Sequence, residues 1–305
     1  MKDPRIVFMG SPEFSLPSLR SLAAEYNIVG VVTQPDRPAG RGLKLTPPPV
    51  KELALELGLP VFQPRKLRDQ DAFDQVKAWN PDIVVLAAFG QFLPESLLDL
   101  PPFKCVNLHP SLLPRWRGAG PIQGTILSGD TMAGTTMMIM DEGMDTGPII
   151  AQAETPLLPD DTHDSLNERL AQISADMLMD ALPGYLNGTL IPQDQDDSLE
   201  TLAPKVKKAQ GELNIEKTAA ELERLVRAFY AWPGAFMLLD GKRLKVLKAH
   251  LGTAPNGKPG QRAVIDGLPA VAAADGWLVL DLVQPEGKKA MPGDAFLRGV
   301  RNWLS

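Results

Sequence analysis

One cysteine and three histidines in 305 residues leave little room for metal or thiol chemistry. Cys105 has no partner for an internal disulfide or a cysteine-based zinc site, and the scattered His109, His163 and His250 make no histidine-rich one. Metal-free chemistry is the expectation. No run of about 18 apolar residues occurs, so no membrane-spanning helix is expected. The opening "MKDPRIVFMG" lacks the basic-then-apolar profile and small-residue cleavage site of a secretory signal, which leads to the expectation of a cytoplasmic protein. After the first strand-like run stands "GSPEF", neither G-x-G-x-x-G nor a Walker loop, so a nucleotide cofactor has no motif behind it. Repeats and low-complexity tracts are absent, and nothing demands a dimer, so a monomer is expected.

What is present is an alternation. "RIVFMG" (5–10), "NIVGVVTQ" (27–34), "DIVVLAAFG" (82–90) and "CVNLHP" (105–110) are near-continuous apolar runs bounded by Gly or Pro, the pattern of strands buried on both faces. Between them "SPEFSLPSLRSLAAEY", "VKELALELG" and "QDAFDQVKAW" read as helices. That order predicts an α/β fold with a doubly wound, mostly parallel sheet. "TTMMIM" (135–140) and "PIIAQAETPL" (148–157) read as added strands, followed by a long helix from about Thr162 to Tyr185, capped by Thr162 or Asp161. The polar stretch over 190–208 reads as a linker between a catalytic domain, residues 1–189, and a C-terminal domain, residues 209–305. In the latter, one helix, "TAAELERLVRAFY", precedes short strand-like runs separated by turns, which predicts a small open β-barrel of the oligonucleotide-binding type.

Charge divides along the same line. Residues 1–205 hold 16 basic and 27 acidic side chains, a net −11, whereas residues 206–305 hold 15 and 10, a net +5. An acidic body with a basic appendage suits a polyanion held mainly by the appendage, although chance variation of surface charge gives the same tally.

Ligands of an open α/β sheet sit beyond the carboxyl ends of its strands. Asn107 and His109 lie two apart on one such strand, so both side chains face the same way. An amide can stabilise a developing oxyanion and an imidazole can move a proton near neutral pH; polar capping of a strand end is the plainer reading. Pro110 and Pro114 restrict the loop that follows to extended conformations. A second cluster, "MDEGMDTGPI" (140–149), offers Asp141, Glu142 and Asp145, of which Asp145 is the best partner for an imidazole, against the reading of a solvated turn. The loop "QPDRPAGRGLKLTPPP" (34–49) gathers Arg37, Arg41 and Lys44 and reads as an anion-recognition loop or as a basic solvated one. Cys105 lies four residues before His109, inside the strand, and is a poor candidate nucleophile.

"VNLHPSLLPRWRGAGPIQ" together with "MDEGMDTGP" resembles the folate-dependent formyltransferases, and "VTQPDRPAGRG", "KVLKA" and "PEGKKAM" resemble their tRNA-directed members, over about residues 5–304. The resemblance implies transfer of a formyl group from 10-formyltetrahydrofolate to the α-amino group of methionyl initiator tRNA, for translation initiation. By motif it implies a catalytic trio of Asn107, His109 and Asp145. It places Ser111, Leu112, Leu113 and Pro114 on a folate-contacting segment, with the backbone around Leu86, Ala88, Phe89 and Gly90 and from Gly143 to Asp145 lining the pterin pocket. Pro110 stands where some relatives have Gly, which stiffens the loop. The tRNA would meet Arg37, Arg41, Lys44, Lys207, Lys208, Lys242, Arg243, Lys245 and Lys248, with Arg115, Trp116 and Arg117 offering charge and a stacking face near the terminal base. A transferase acting on a small amine, a formyltetrahydrofolate hydrolase and a non-catalytic RNA-binding factor are the alternatives.

Overall fold

A computed structural model describes residues 3–39, 44–239, 241–255, 257–300 and 303–304. Arg41, expected to meet an anion, lies outside them. The first nine strands are β1 (Arg5–Gly10), β2 (Asn27–Val32), β3 (Arg37–Ala39), β4 (Lys44–Thr46), β5 (Val61–Phe62), β6 (Ile83–Ala87), β7 (Cys105–His109), β8 (Met132–Ile139) and β9 (Ile149–Pro156). The six later ones are β10 (Ala235–Leu239), β11 (Lys242–Gly252), β12 (Arg262–Ile265), β13 (Leu268–Ala272), β14 (Trp277–Pro285) and β15 (Met291–Pro292). The helices are α1 (Leu16–Glu25), α2 (Pro49–Glu56), α3 (Gln70–Ala78), α4 (Glu95–Leu98), α5 (Pro121–Ser128), α6 (His163–Leu186), α7 (Ala219–Ala228) and α8 (Gly293–Gly299).

The chain forms two compact units. The first comprises residues 1–121, 132–156 and 167–202, the second residues 122–131, 157–166 and 203–305. In the first, seven strands run in the order β5-β2-β1-β6-β7-β8-β9. Pairings from β5 through β7 are parallel, and β8 and β9 add antiparallel to the β7 edge. The apolar runs fill this sheet because each parallel strand is covered on both faces. Val7, Met9, Val84, Leu86 and Cys105 form one buried layer with Ala72 and Val76 of α3 and Leu97 and Leu98 of α4. The long helix is present, and Thr162 caps it through its hydroxyl, which accepts from Ser165 N.

Two segments differ from expectation. Residues 34–49 are not a bare loop: β3 and β4 pair antiparallel outside the main sheet. At the base of that hairpin Asp36 accepts from Lys51 of α2 at 2.8 Å and from Gln63 at 2.7 Å. The second segment, 193–202, reads as linker but is hydrogen-bonded into the first unit at Gln193, Gln195 and Thr201.

In the second unit five strands run β10-β11-β14-β13-β12, all antiparallel, with β15 on β14. No pairing joins β10 to β12 among the described residues, so the sheet is open. Helix α7 starts at a capping box, Thr218 and Glu221 each bonding the other's backbone N–H. Its apolar stripe, Leu222, Leu225 and Val226, is buried. Strand β13 carries Pro269, which cannot donate to a ladder and disguises a strand in sequence.

Candidate active site

Strand β7 is regular from Cys105 to His109, with Asn107 opposite Leu86 on one side and Met138 on the other. The side chains of Asn107 and His109 therefore share the face of Leu86 at the carboxyl end of the parallel strands. The imidazole is buried, 6% exposed, and Nε2 lies 3.0 Å from Trp116 O. A carbonyl only accepts, so Nε2 carries a proton and donates, which leaves Nδ1 as the nitrogen on the side of Asp145. Asp145 Oδ1 stands 3.6 Å from Nδ1, and its other oxygen accepts from Gly118 N at 2.9 Å. The expected convergence of imidazole and carboxylate is thus present, 36 positions apart in the chain.

The loops that deliver these groups are bent into unusual conformations. Ala88, Trp116 and Asp145 have φ values of 48°, 62° and 56°, and Gly90 and Gly118 are also positive. Left-handed backbone on non-glycine residues costs on the order of 1–3 kcal/mol each and collects where a site must be held in shape. Asp141 builds the Asp145 turn, accepting from Gly143 N at 3.0 Å and from Thr146 Oγ1 at 2.8 Å. Gly147 is required there, since a Cβ would collide with the carbonyl of Ile139.

The "SLLP" loop is sewn down from beneath. Thr136 Oγ1 donates to Ser111 O at 2.6 Å and accepts from Leu113 N, while Gln152 Nε2 donates to Leu113 O. Ser111 and Leu113 are buried, and Leu112 packs on Gly134. A small open cavity of about 130 Å³ lies beside Asn107's neighbour Met138, lined by Gln91, Phe92, Leu93, Met140, Gly143, Met144 and Asp145. Phe92 and Met144 are 80% and 53% exposed, so the rim of this cavity is apolar. Of the residues expected around a folate, Gly143 and Asp145 line this cavity. Leu86 and Phe89 turn their side chains into the core, so that only their backbone can serve. Among the described residues no group of three or more His, Cys, Asp or Glu is placed to hold a metal ion, and no helix is long and apolar enough to cross a membrane.

Cys105 is no nucleophile. Burial pushes its thiol up to about 12, and Sγ donates to Leu97 O. Arg117 also departs from expectation. Its side chain is 2% exposed and its guanidinium binds Glu200, Asp197 and Gln195, so it cannot reach a nucleic acid. Arg115 is exposed and stacks 5.0 Å over the ring of half-buried Trp116.

The basic residues divide between the units. Arg37 and Lys44 are exposed on the β3–β4 hairpin of the first. In the second, Arg243 and Lys245 alternate with buried Leu244 and Val246 on β11 and share a cleft of about 300 Å³ with Gln284 and Glu286. Arg243 stacks 3.7 Å above Phe236. Lys242 lines a second cleft with Arg243 and Phe296, and Lys207 and Lys208 are exposed.

The carboxyl end of the parallel strands thus carries an amide and an imidazole, and the turn after β8 brings a carboxylate beside them, an arrangement suited to acyl transfer. Residues 5–182 match the formyl transferase family and residues 205–301 match the formyl transferase C-terminal domain. The chain belongs to the formyl transferase family. It is 48% identical over 301 residues to the methionyl-tRNA formyltransferase of Myxococcus xanthus, covering 98% of this chain and 96% of that one. To the methionyl-tRNA formyltransferase of Trichlorobacter lovleyi it is 45% identical, covering 97% and 94%. The solved methionyl-tRNA formyltransferase of Clostridium thermocellum shares the fold, with a TM-score of 0.58 at 17% identity over 92% of this chain and 98% of that one.

Proposed function

We propose that this chain transfers the formyl group of 10-formyltetrahydrofolate to the α-amino group of methionine on charged initiator tRNA. The observation that carries the reading is the approach of His109 to Asp145 on the face that Asn107 shares. The Myxococcus and Trichlorobacter relatives act, by their names, on methionyl-tRNA, and they match nearly the whole chain. The apolar rim of Phe92 and Met144 suits a flat ring system, with the backbone near Gly143 and Ala88 to Gly90 beside it.

The folate supplies a formyl carbon already activated on N10. The neutral amine attacks that carbon, forming the new C–N bond and placing negative charge on the formyl oxygen. Asn107 donates its amide N–H to that oxyanion, a contribution of roughly 3 kcal/mol for one well-placed donor. With Nε2 committed to Trp116 O, His109 has Nδ1 left for proton exchange, with Asp145 Oδ1 3.6 Å from it. The amine's proton passes by way of Asp145 and Nδ1 to N10, and the C–N10 bond breaks to release tetrahydrofolate. No covalent enzyme intermediate is required, because the amine is itself the nucleophile. Ser111 to Pro114 and the Gly143 turn hold the folate, while Arg37, Lys44, Lys207, Lys208, Lys242, Arg243 and Lys245 meet the tRNA backbone.

The test follows the label of formyl-labelled 10-formyltetrahydrofolate with purified protein. Label on methionine-charged initiator tRNA, with none on uncharged RNA, is the expected result. Release of labelled formate without acceptor would indicate a hydrolase. Label on a small amine in preference to charged tRNA would overturn the assignment of acceptor.

A further inference from the structure

Residues 193–202 lie as a strap across both loops that hold the catalytic pair. Gln193 exchanges backbone bonds with Ile149 at 2.7 and 2.8 Å. The amide of Gln195 then donates from Nε2 to Asp145 O at 2.9 Å and to Gly147 O at 2.8 Å. Those carbonyls flank the left-handed turn that aims the Asp145 carboxylate. From its other end Gln195 Oε1 accepts from Arg117 Nη2 at 2.8 Å and Nε at 3.1 Å. This orientation admits no flip, since a guanidinium only donates and a carbonyl only accepts.

The strap also grips the second loop. Thr201 Oγ1 accepts from Trp116 N, Thr201 O accepts from Arg117 N, and Thr201 N donates to Pro114 O. Trp116 O is the acceptor for His109 Nε2, and Gly118 N donates to Asp145 Oδ2. The imidazole and the carboxylate are thus two points on one closed circuit of bonds, with the Gln195 amide and the Arg117 guanidinium as its bridge. Asp197 and Glu200, from the same strap, supply the anions that a buried guanidinium needs.

We infer that Gln195 and Arg117 are positioning residues for formyl transfer, setting the approach of Asp145 to His109 without touching substrate. The inference rests on the proposed reaction. Burial of Arg117 keeps it from any ligand, and the Gln195 amide spends both of its ends on protein groups. Misplacement of a reacting group by about 1 Å can cost on the order of 100-fold in rate.

The test is a double-mutant cycle in the full chain. Gln195→Met keeps length and removes every bond of the amide. The expected result is a fall in kcat of roughly 10- to 100-fold, with KM for charged tRNA held within about twofold. In an Asp145→Ala background the same substitution is expected to cost no further rate, because the group it positions has gone. An unchanged kcat in Gln195→Met, or an equal loss in both backgrounds, overturns the inference. Should that variant not fold, Gln195→Glu keeps the acceptor for Arg117, loses both donors, and is judged by the same two criteria. A readout independent of turnover is the imidazole NMR spectrum, in which the His109 signals move in Gln195→Met while those of His163 and His250 stay. Stationary His109 signals count against the strap. Wild-type protein that transfers no formyl group to charged tRNA defeats the functional reading instead, and the NMR comparison still judges the strap.

Discussion

Asn107 and His109 owe their common direction to the two-residue repeat of a strand, and that much is written in the sequence. A regular β7 with continuous neighbours on both sides leaves no bulge to turn either side chain away. Replacing Asn107 by Ala is expected to lower kcat about 10²–10³-fold, the cost of one oxyanion donor, with unchanged thermal unfolding. Cys105 makes the opposite prediction. With its thiol pushed up to about 12 by burial, it stays protonated across the working pH range. Cys105→Ala should retain turnover, and alkylating reagents should label the wild-type thiol only on unfolding; rapid labelling of folded protein would contradict its placement. In the sequence Asp145 is favoured among three carboxylates of a glycine-rich turn by apolar Met144 before it and the Thr-Gly-Pro run after it. Its partners are not local: Gly118 N and His109 lie 27 and 36 positions away.

At the scale of elements, the apolar runs and capping residues read directly as strands and helices because burial on both faces leaves a continuous signature. The exceptions have physical causes. Pro269 sits in paired β13 and masks it. Strand signals in β3 and β4 are three residues each, too short for a period to register. The strap is harder still, since Gln195 and Arg117 act through side-chain bonds across 50 and 78 positions, which impose no repeat on the intervening chain. Thr136 belongs with them. Thr136→Val leaves the Leu113 N–H unpaired and removes the donor to Ser111 O, an expected loss of about 1–3 kcal/mol in unfolding free energy, measurable by denaturant titration. The β3–β4 hairpin carries a pH dependence of definite sign. Hydrogen bonds from Gln63 and then Lys51 hold the Asp36 carboxyl below its ordinary range. Its contribution is present above the unfolded value of about 3.9 and is lost as pH falls through the depressed one. Amide exchange in residues 37–39 and 44–46 should therefore rise selectively under acid conditions, and Asp36→Asn should abolish that selectivity.

Over the whole molecule, the charge split is the feature most plainly legible in composition: −11 over residues 1–205 against +5 over residues 206–305. Composition does not say which basic residues share a surface. The structure sets Arg243 between two clefts, one shared with Lys245 and the other with Lys242, and it withdraws Arg117 from the surface altogether. Replacing Arg243 and Lys245 by Ala is expected to weaken tRNA binding and to reduce the slope of log affinity against log salt by about 1 for each phosphate no longer neutralised, leaving turnover of bound tRNA intact. An unaltered slope would remove those two residues from the interface.

In the proposed reaction an amide, an imidazole and a carboxylate, drawn from β7 and the Asp145 turn, act together on one formyl carbon. Single-turnover transfer from 10-formyltetrahydrofolate to methionine-charged initiator tRNA, with both substrates saturating, isolates that step from binding. Asp145→Asn is expected to slow it about 100-fold or more while the variant unfolds at the wild-type temperature. A variant that transfers at the wild-type rate would contradict the proposed reaction.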